Sequence, residues 1–483
     1  MNDQHASFSI NRRGFLGSSA GGLGWLALRH LLAEETKSNA PSASRRTERK
    51  SPLAPKRPHH RAQAKAVICL FQHGGPSQID LFDPKPELTK WDGKSYPGDD
   101  LEIHFNKAAG KLLASPFRFQ PEQKTGIELS ELIPHTARIA SDITLVRSMV
   151  TTAIDHDLAL RVIHTGKVEF GRPTLGSWTL YGLGSERSDL PAYVVLSDPA
   201  GLPVGKTDNW AAGWLPAIYQ GTQIRSNGSP VFDLDRPEDL PLHARRNQLR
   251  FLQRLNAEAL QDYPGNSELN ARIRNFELAA QMQTSIGQVL DLSMETAETR
   301  KLYGLDHPNA ATSNYAKRCL MARRLVEQGV PFVQIFLHRQ PWDTHSNNAA
   351  QLKELTLMTD QPSAALVEDL KRRGLLDSTI VLWCGEFGRL PIAQGRDGRD
   401  HSRHGFSAWV AGGGFKRGFL HGATDQFGAH ATEDIVSVHD LHATLLHALG
   451  LDHESLKYPH AGRLDSLTDA EITYAQVVGE LLA

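Results

Sequence analysis

Trp342-Asp343-Thr344-His345 sets a carboxylate and an imidazole one residue apart, just past an apolar run. Glu386, and further on Asp400 and His401, follow a second run of the same kind. Carboxylate oxygens and neutral imidazole nitrogens are donors that divalent cations of intermediate hardness prefer. In open α/β sheets, ligands bind beyond the carboxyl ends of the strands. The pattern predicts a metal-dependent hydrolase centre with Asp343, His345, Glu386, His401 and His73 as ligands. Each has a plainer alternative. Asp343 could cap a turn beside an exposed His345. Glu386 could pair with Arg389. Asp400 and His401 could lie in a surface turn, or Asp400 could orient His401. His73 could simply occupy the Gly74-Gly75-Pro76 turn. His156, between Asp155 and Asp157, reads equally as a base, a ligand or a buried histidine. Arg161, Arg172 and Arg389 could fork onto an anion, although most arginines sit on solvated faces.

The elements that must position these groups follow from periodicity. Ala66–Phe71, Ile143–Ser148, Ala192–Leu196, Pro331–Leu337, Ser378–Cys384 and Ser407–Ala411 are short apolar runs that read as buried strands. Helical patterns lie between them, at 157–163, 351–374 and 440–449. The alternation predicts an α/β fold: a doubly wound, mostly parallel sheet sandwiched by helices. Residues 199–300, Gly/Pro-rich and then helical and charged, read as an inserted cap, and residues 466–483 as a C-terminal helix. His439, His442 and His447 lie on a helix whose leucines mark it as a packing element.

The chain has 483 residues and a net charge of −1. Residues 1–65 hold 12 basic and 4 acidic residues, leaving 41 basic and 50 acidic in the rest. A mildly acidic body argues against a nucleic-acid partner. Cys69, Cys319 and Cys384 are widely spaced, so neither a disulfide framework nor a thiolate zinc site is expected. Arg12-Arg13-Gly14-Phe15-Leu16, ahead of a short Gly/Ala-rich apolar run ending near Ala33, reads as a twin-arginine export signal. It predicts a periplasmic or cell-surface protein with no membrane span in the mature chain. Residues 34–64, rich in Pro, Ser, Arg and Lys, read as a disordered linker.

One ordered set of motifs resembles a family. It comprises the twin-arginine start, His73-Gly74-Gly75-Pro76-Ser77, Trp342-Asp343-Thr344-His345, Gly385-Glu386-Phe387-Gly388-Arg389, Gly398-Arg399-Asp400-His401 and Val410-Ala411-Gly412-Gly413-Gly414. Over roughly residues 65–460 the chain is similar to the bacterial domain of unknown function 1501, sulfatase-like members of the alkaline phosphatase superfamily. The resemblance implies that superfamily's α/β sandwich, one or two divalent metals (Zn, Mn, Mg or Ca) and hydrolysis of sulfate or phosphate esters. Its substrate would be an anionic ester of a small molecule or a polysaccharide. His73 stands where sulfatases carry Asp, and Phe387 follows Glu386 where they carry a second ligand. The sulfatase nucleophile, a modified Cys or Ser ahead of a Thr-Gly, has no counterpart: counting back from Thr165-Gly166 reaches His156. Thr174 remains, as a helix N-cap or as an activated alkoxide. The missing nucleophile keeps a second function open, a catalytically inactive cell-surface binder of anionic polysaccharide.

Overall fold

The computed structural model describes residues 52–105, 109–227, 241–263 and 265–483. The expected export signal and most of the expected linker lie outside these residues. A central sheet carries strands β1 (Ala66–Phe71), β3 (Ile143–Val150), β4 (Tyr193–Leu196), β5 (Thr222–Ile224), β6 (Phe332–Ile335), β7 (Thr379–Cys384), β10 (Phe406–Ala411), β11 (Phe419–His421) and β12 (Val436–Ser437). Its order is β11-β3-β10-β7-β1-β6-β4-β5, with β12 beside β3. Every pairing is parallel except the two made by β10. A separate antiparallel sheet joins β2 (Ala109–Leu112), β8 (Gly388–Gln394) and β9 (Gly398–Ser402).

The runs read as buried strands are covered on both faces, because successive side chains alternate across a sheet. Ile68 and Leu70 join a core with Leu320 and Leu325 of helix α5 (Ala310–Glu327) and Leu366 of α6 (Asn348–Arg372). Val67, Cys69 and Phe71 join the opposite core. There they meet Leu160 and Ile163 of α1 (His156–Thr165), Trp178 of α2 (Leu175–Leu183) and Leu441 and Leu445 of α7 (Val438–Ala448). The three cysteines are free and buried. No helix among the described residues is long and apolar enough to cross a membrane.

Three boundaries differ from the sequence reading. Within the expected linker, residues 59–64 are anchored: the N–H groups of His59 and Ala64 donate to Gly450 and Ala448 carbonyls at 2.8 Å. The expected cap is partly integral. Thr222–Ile224 extends the sheet, and α4 (Ser267–Leu290), which follows α3 (Leu242–Asp262), sends Met282 and Ile286 into the core. Residues 466–483 form short turns, Ala470–Thr473 and Gly479–Leu481, with no continuous helix.

Candidate metal centre

The parallel strands β1, β6 and β7 end on the same side, and their C-terminal loops carry His73, the Trp-Asp-Thr-His turn and Glu386. Gly74 lets two of these loops touch. It sits at φ +109°, and a Cβ there would stand 2.5 Å from the Asp343 nitrogen. Trp342 Nε1 donates to Gln72 Oε1 at 3.1 Å, which pins the turn to the end of β1. The β8–β9 hairpin then folds over the strand ends, setting Arg389 opposite His401. Helix α1 begins at the site because Asp155 caps it, accepting from Asp157 N at 2.9 Å. Gly166, at φ +78°, ends it.

Four groups converge: His156, Asp343, His345 and His401, with one ligand atom from each lying within 4.8 Å of all the others. Asp343 Oδ1 is 3.2 Å from His156 Nε2, 2.8 Å from His345 Nε2 and 3.2 Å from His401 Nε2. The last two nitrogens are 3.1 Å apart. Bonds of about 2.0 Å in tetrahedral array separate ligand atoms by roughly 3.3 Å, so the spacing suits one transition-metal ion.

The tautomers agree with this. Glu386 Oε1 accepts from His156 Nδ1 at 2.6 Å, the Ile154 carbonyl from His401 Nδ1 at 2.8 Å, and Gln394 Oε1 from His345 Nδ1. Each Nδ1 faces an oxygen acceptor, so Nε2 is the nitrogen each ring turns toward the shared point, and a cation bound there would displace any proton it carries. His156 Nε2 is buried with no hydrogen-bond partner. Burial depresses the His156 pKa, but the carboxylates of Asp343 and Glu386 on either side outweigh it and raise it to about 9. Burial dominates at His401, lowering it to about 4. Burial alone would raise the Asp343 carboxyl. Hydrogen bonds from the three imidazoles, with Arg389 beside it, hold it far below the usual range. The cluster meets solvent at His345, whose side chain is 28% exposed.

Several expected residues stand elsewhere. Glu386 lies outside the ligand set: it is fully buried and accepts from Gly74 N at 2.8 Å and from His156. It is not paired with Arg389 either. His73 lies outside too, packed between Phe71 and Phe336, with both ring nitrogens unpartnered. Thr174 begins α2 without capping it. Its hydroxyl is 3.1 Å from Ser177 Oγ, and it lines a small enclosed cavity with His164 and His442. Asp400 and His401 form part of a buried strand, where a surface turn was one expectation. Asp400 binds the backbone N–H of His401 at 2.9 Å and leaves its ring to Ile154. Arg389 is buried and turned onto protein acceptors, including Asp343 Oδ1 at 2.8 Å and the Gly75 carbonyl at 2.9 Å. It orients a ligand, as Asp343 has no other cationic neighbour of fixed charge within the cluster. Arg161 lies along α1, stacked 3.4 Å from the Phe170 ring centroid. Gln394 and the Ile154 carbonyl were missed: an amide and a backbone oxygen carry no sequence signal.

Fold and site together define a mainly parallel α/β protein with a His₃Asp cluster at its strand ends. The chain belongs to the DUF1501 family (protein of unknown function), whose model matches residues 64–482. No curated protein matches it. Among solved structures it is similar to the PsFucS1 sulfatase from Pseudoalteromonas sp., at 12% identity and TM-score 0.35, covering 81% of this chain and 68% of that one. It is also similar to an alkaline phosphatase superfamily protein from Vibrio parahaemolyticus, at 10% identity and TM-score 0.36, covering 84% and 71%.

Proposed function

We propose that this protein is an exported, metal-dependent hydrolase of sulfate or phosphate esters. The observation that supports it most is the convergence of three imidazoles, each with its Nδ1 proton on an oxygen, on one Asp343 oxygen. A transition-metal ion fits this donor set better than Ca²⁺, which takes oxygen ligands. A divalent cation held by these residues, with a fifth coordination position open, would supply Lewis-acid polarisation of an ester oxygen and make water more acidic. With a single carboxylate ligand, the loaded centre keeps positive charge, which favours an anionic ester. Glu386, Gln394 and Ile154 hold the imidazole tautomers, and Arg389 holds Asp343. Water is the nucleophile in this reading, since Thr174 lies in a different cavity. The twin-arginine start carries the protein to the periplasm or cell surface.

The test is metal analysis of purified protein, then assay on aryl phosphates and aryl sulfates with Zn²⁺ or Mn²⁺. Bound metal with turnover that His345→Ala abolishes upholds the reading. Metal-free protein inert on both panels refutes it. The displacement of Thr174 favours one rival, an inactive binder of anionic polysaccharide. That rival predicts glycan binding indifferent to chelator and to His345→Ala.

A further inference from the structure

One side of the cluster is walled by rings. His104 stacks on His401, with ring centroids 5.1 Å apart and planes 19° from parallel. Phe105 stands edge-on to His345 at 5.1 Å and 89°, and to His401 at 5.9 Å and 75°. Yet Phe105 remains 44% exposed, so much of a large apolar ring faces solvent beside the proposed ligands.

Its placement is enforced by a buried acid. Asp400 is 2% exposed; its Oδ2 accepts the N–H of Phe105 at 2.8 Å, while its Oδ1 accepts the N–H of His401 at 2.9 Å. One carboxylate therefore fixes the aromatic wall and a ligand strand in mutual register. An apolar ring whose centroid lies 5.1 and 5.9 Å from those of two ligand imidazoles cannot take the charged part of an ester. It can take a flat organic group while the charged part lies at the cluster, because aromatic rings favour partners at roughly 4.5–7 Å.

We propose that Phe105 receives the ring of the substrate's alcohol portion and sets a preference for ring-bearing esters over short-chain ones, with Asp400 as its positioning residue. This rests on reading the cluster as an ester-cleaving metal centre. The common chemistry is an apolar ring face, planar in an aryl group and formed by axial C–H bonds in a pyranose.

The experiment compares phenyl phosphate, glucose 6-phosphate and ethyl phosphate on wild type, Phe105→Ala and Phe105→Trp, all metal-loaded. Wild type prefers at least one ring ester over ethyl phosphate in kcat/KM. Phe105→Ala lowers that preference about tenfold, chiefly through KM, and Phe105→Trp restores it. Which ring ester responds identifies aryl or sugar as the source. Affinities for phenylphosphonate and ethylphosphonate, measured by calorimetry on the same proteins, separate the two proposals. A phenyl preference abolished by Phe105→Ala, in a protein that turns over no ester, keeps this wall and discards the hydrolase. No ring preference in wild type, or one that survives Phe105→Ala, overturns the proposal.

Discussion

Glu386→Met isolates the group that holds the ligand His156 from behind. The carboxylate is fully buried, and its Oε1 takes both the His156 Nδ1 proton at 2.6 Å and the Gly74 N–H at 2.8 Å. Methionine keeps most of the volume but offers neither the charge nor an acceptor oxygen of that kind. His156 Nδ1 then loses the oxygen that holds its proton. The proton is better placed on Nε2, where Asp343 accepts it. A protonated Nε2 cannot bind a metal. Loss of such an outer partner typically costs 10–100-fold in metal affinity, about 1.4–2.7 kcal/mol. The assay is Zn²⁺ competition against a chromophoric chelator at pH 7.5, with His156→Ala as the limit in which the ligand itself is gone. Thermal melting of the metal-free proteins checks that the fold persists. If Glu386→Met binds Zn²⁺ within twofold of wild type while His156→Ala does not, the tautomer argument is wrong.

Three further outcomes follow from the geometry. Gly74→Ala should lower metal affinity at least tenfold in the same competition assay, because its Cβ would displace the Asp343 backbone from 2.5 Å; unchanged affinity would show that the loop yields freely. Arg399 and Asp80, both fully buried, pair at 2.8 and 3.1 Å. Arg399→Met strands the Asp80 charge and should cost roughly 3–5 kcal/mol in urea denaturation; a loss under 1 kcal/mol would contradict this. Burial lowers His164 and His442 to about 3, whereas the unfolded chain titrates near 6.5. The unfolded state therefore binds more protons between these values. Stability is complete above about pH 6.5 and falls as the solution is acidified, by about 2 kcal/mol per histidine between pH 7.5 and 5.0. Equal unfolding free energies at the two pH values would rule this out.

The strands that carry the site were legible because each is a short apolar run, buried on both faces and followed by a polar loop. Ala66–Phe71 and Thr379–Cys384 match their sequence reading to within a residue. The β8–β9 hairpin was not legible. Gly388–Ser402 mixes Arg389, Arg399, Asp400 and His401, a composition that signals a surface, yet its strands are buried. They are buried because the charges answer one another across the fold: Arg399 with Asp80, Arg389 with Asp343, Asp400 with two backbone N–H groups. Most of these partners lie 46 to 319 residues away along the chain, a separation that no local pattern encodes.

Residue types and their places after strands were enough to nominate Asp343, His345 and His401 for one cluster, and to raise His156 among three possible roles. Composition, periodicity and motif order likewise determined the layered α/β architecture and the family. Only the assembled sheet decided that His156 joins the cluster while Glu386 stands behind it and His73 packs between phenylalanines. The reason is directional. A ligand is defined by where its lone pair points, and that direction is set by whichever oxygen holds the opposite nitrogen's proton. Those oxygens come from distant turns of the chain.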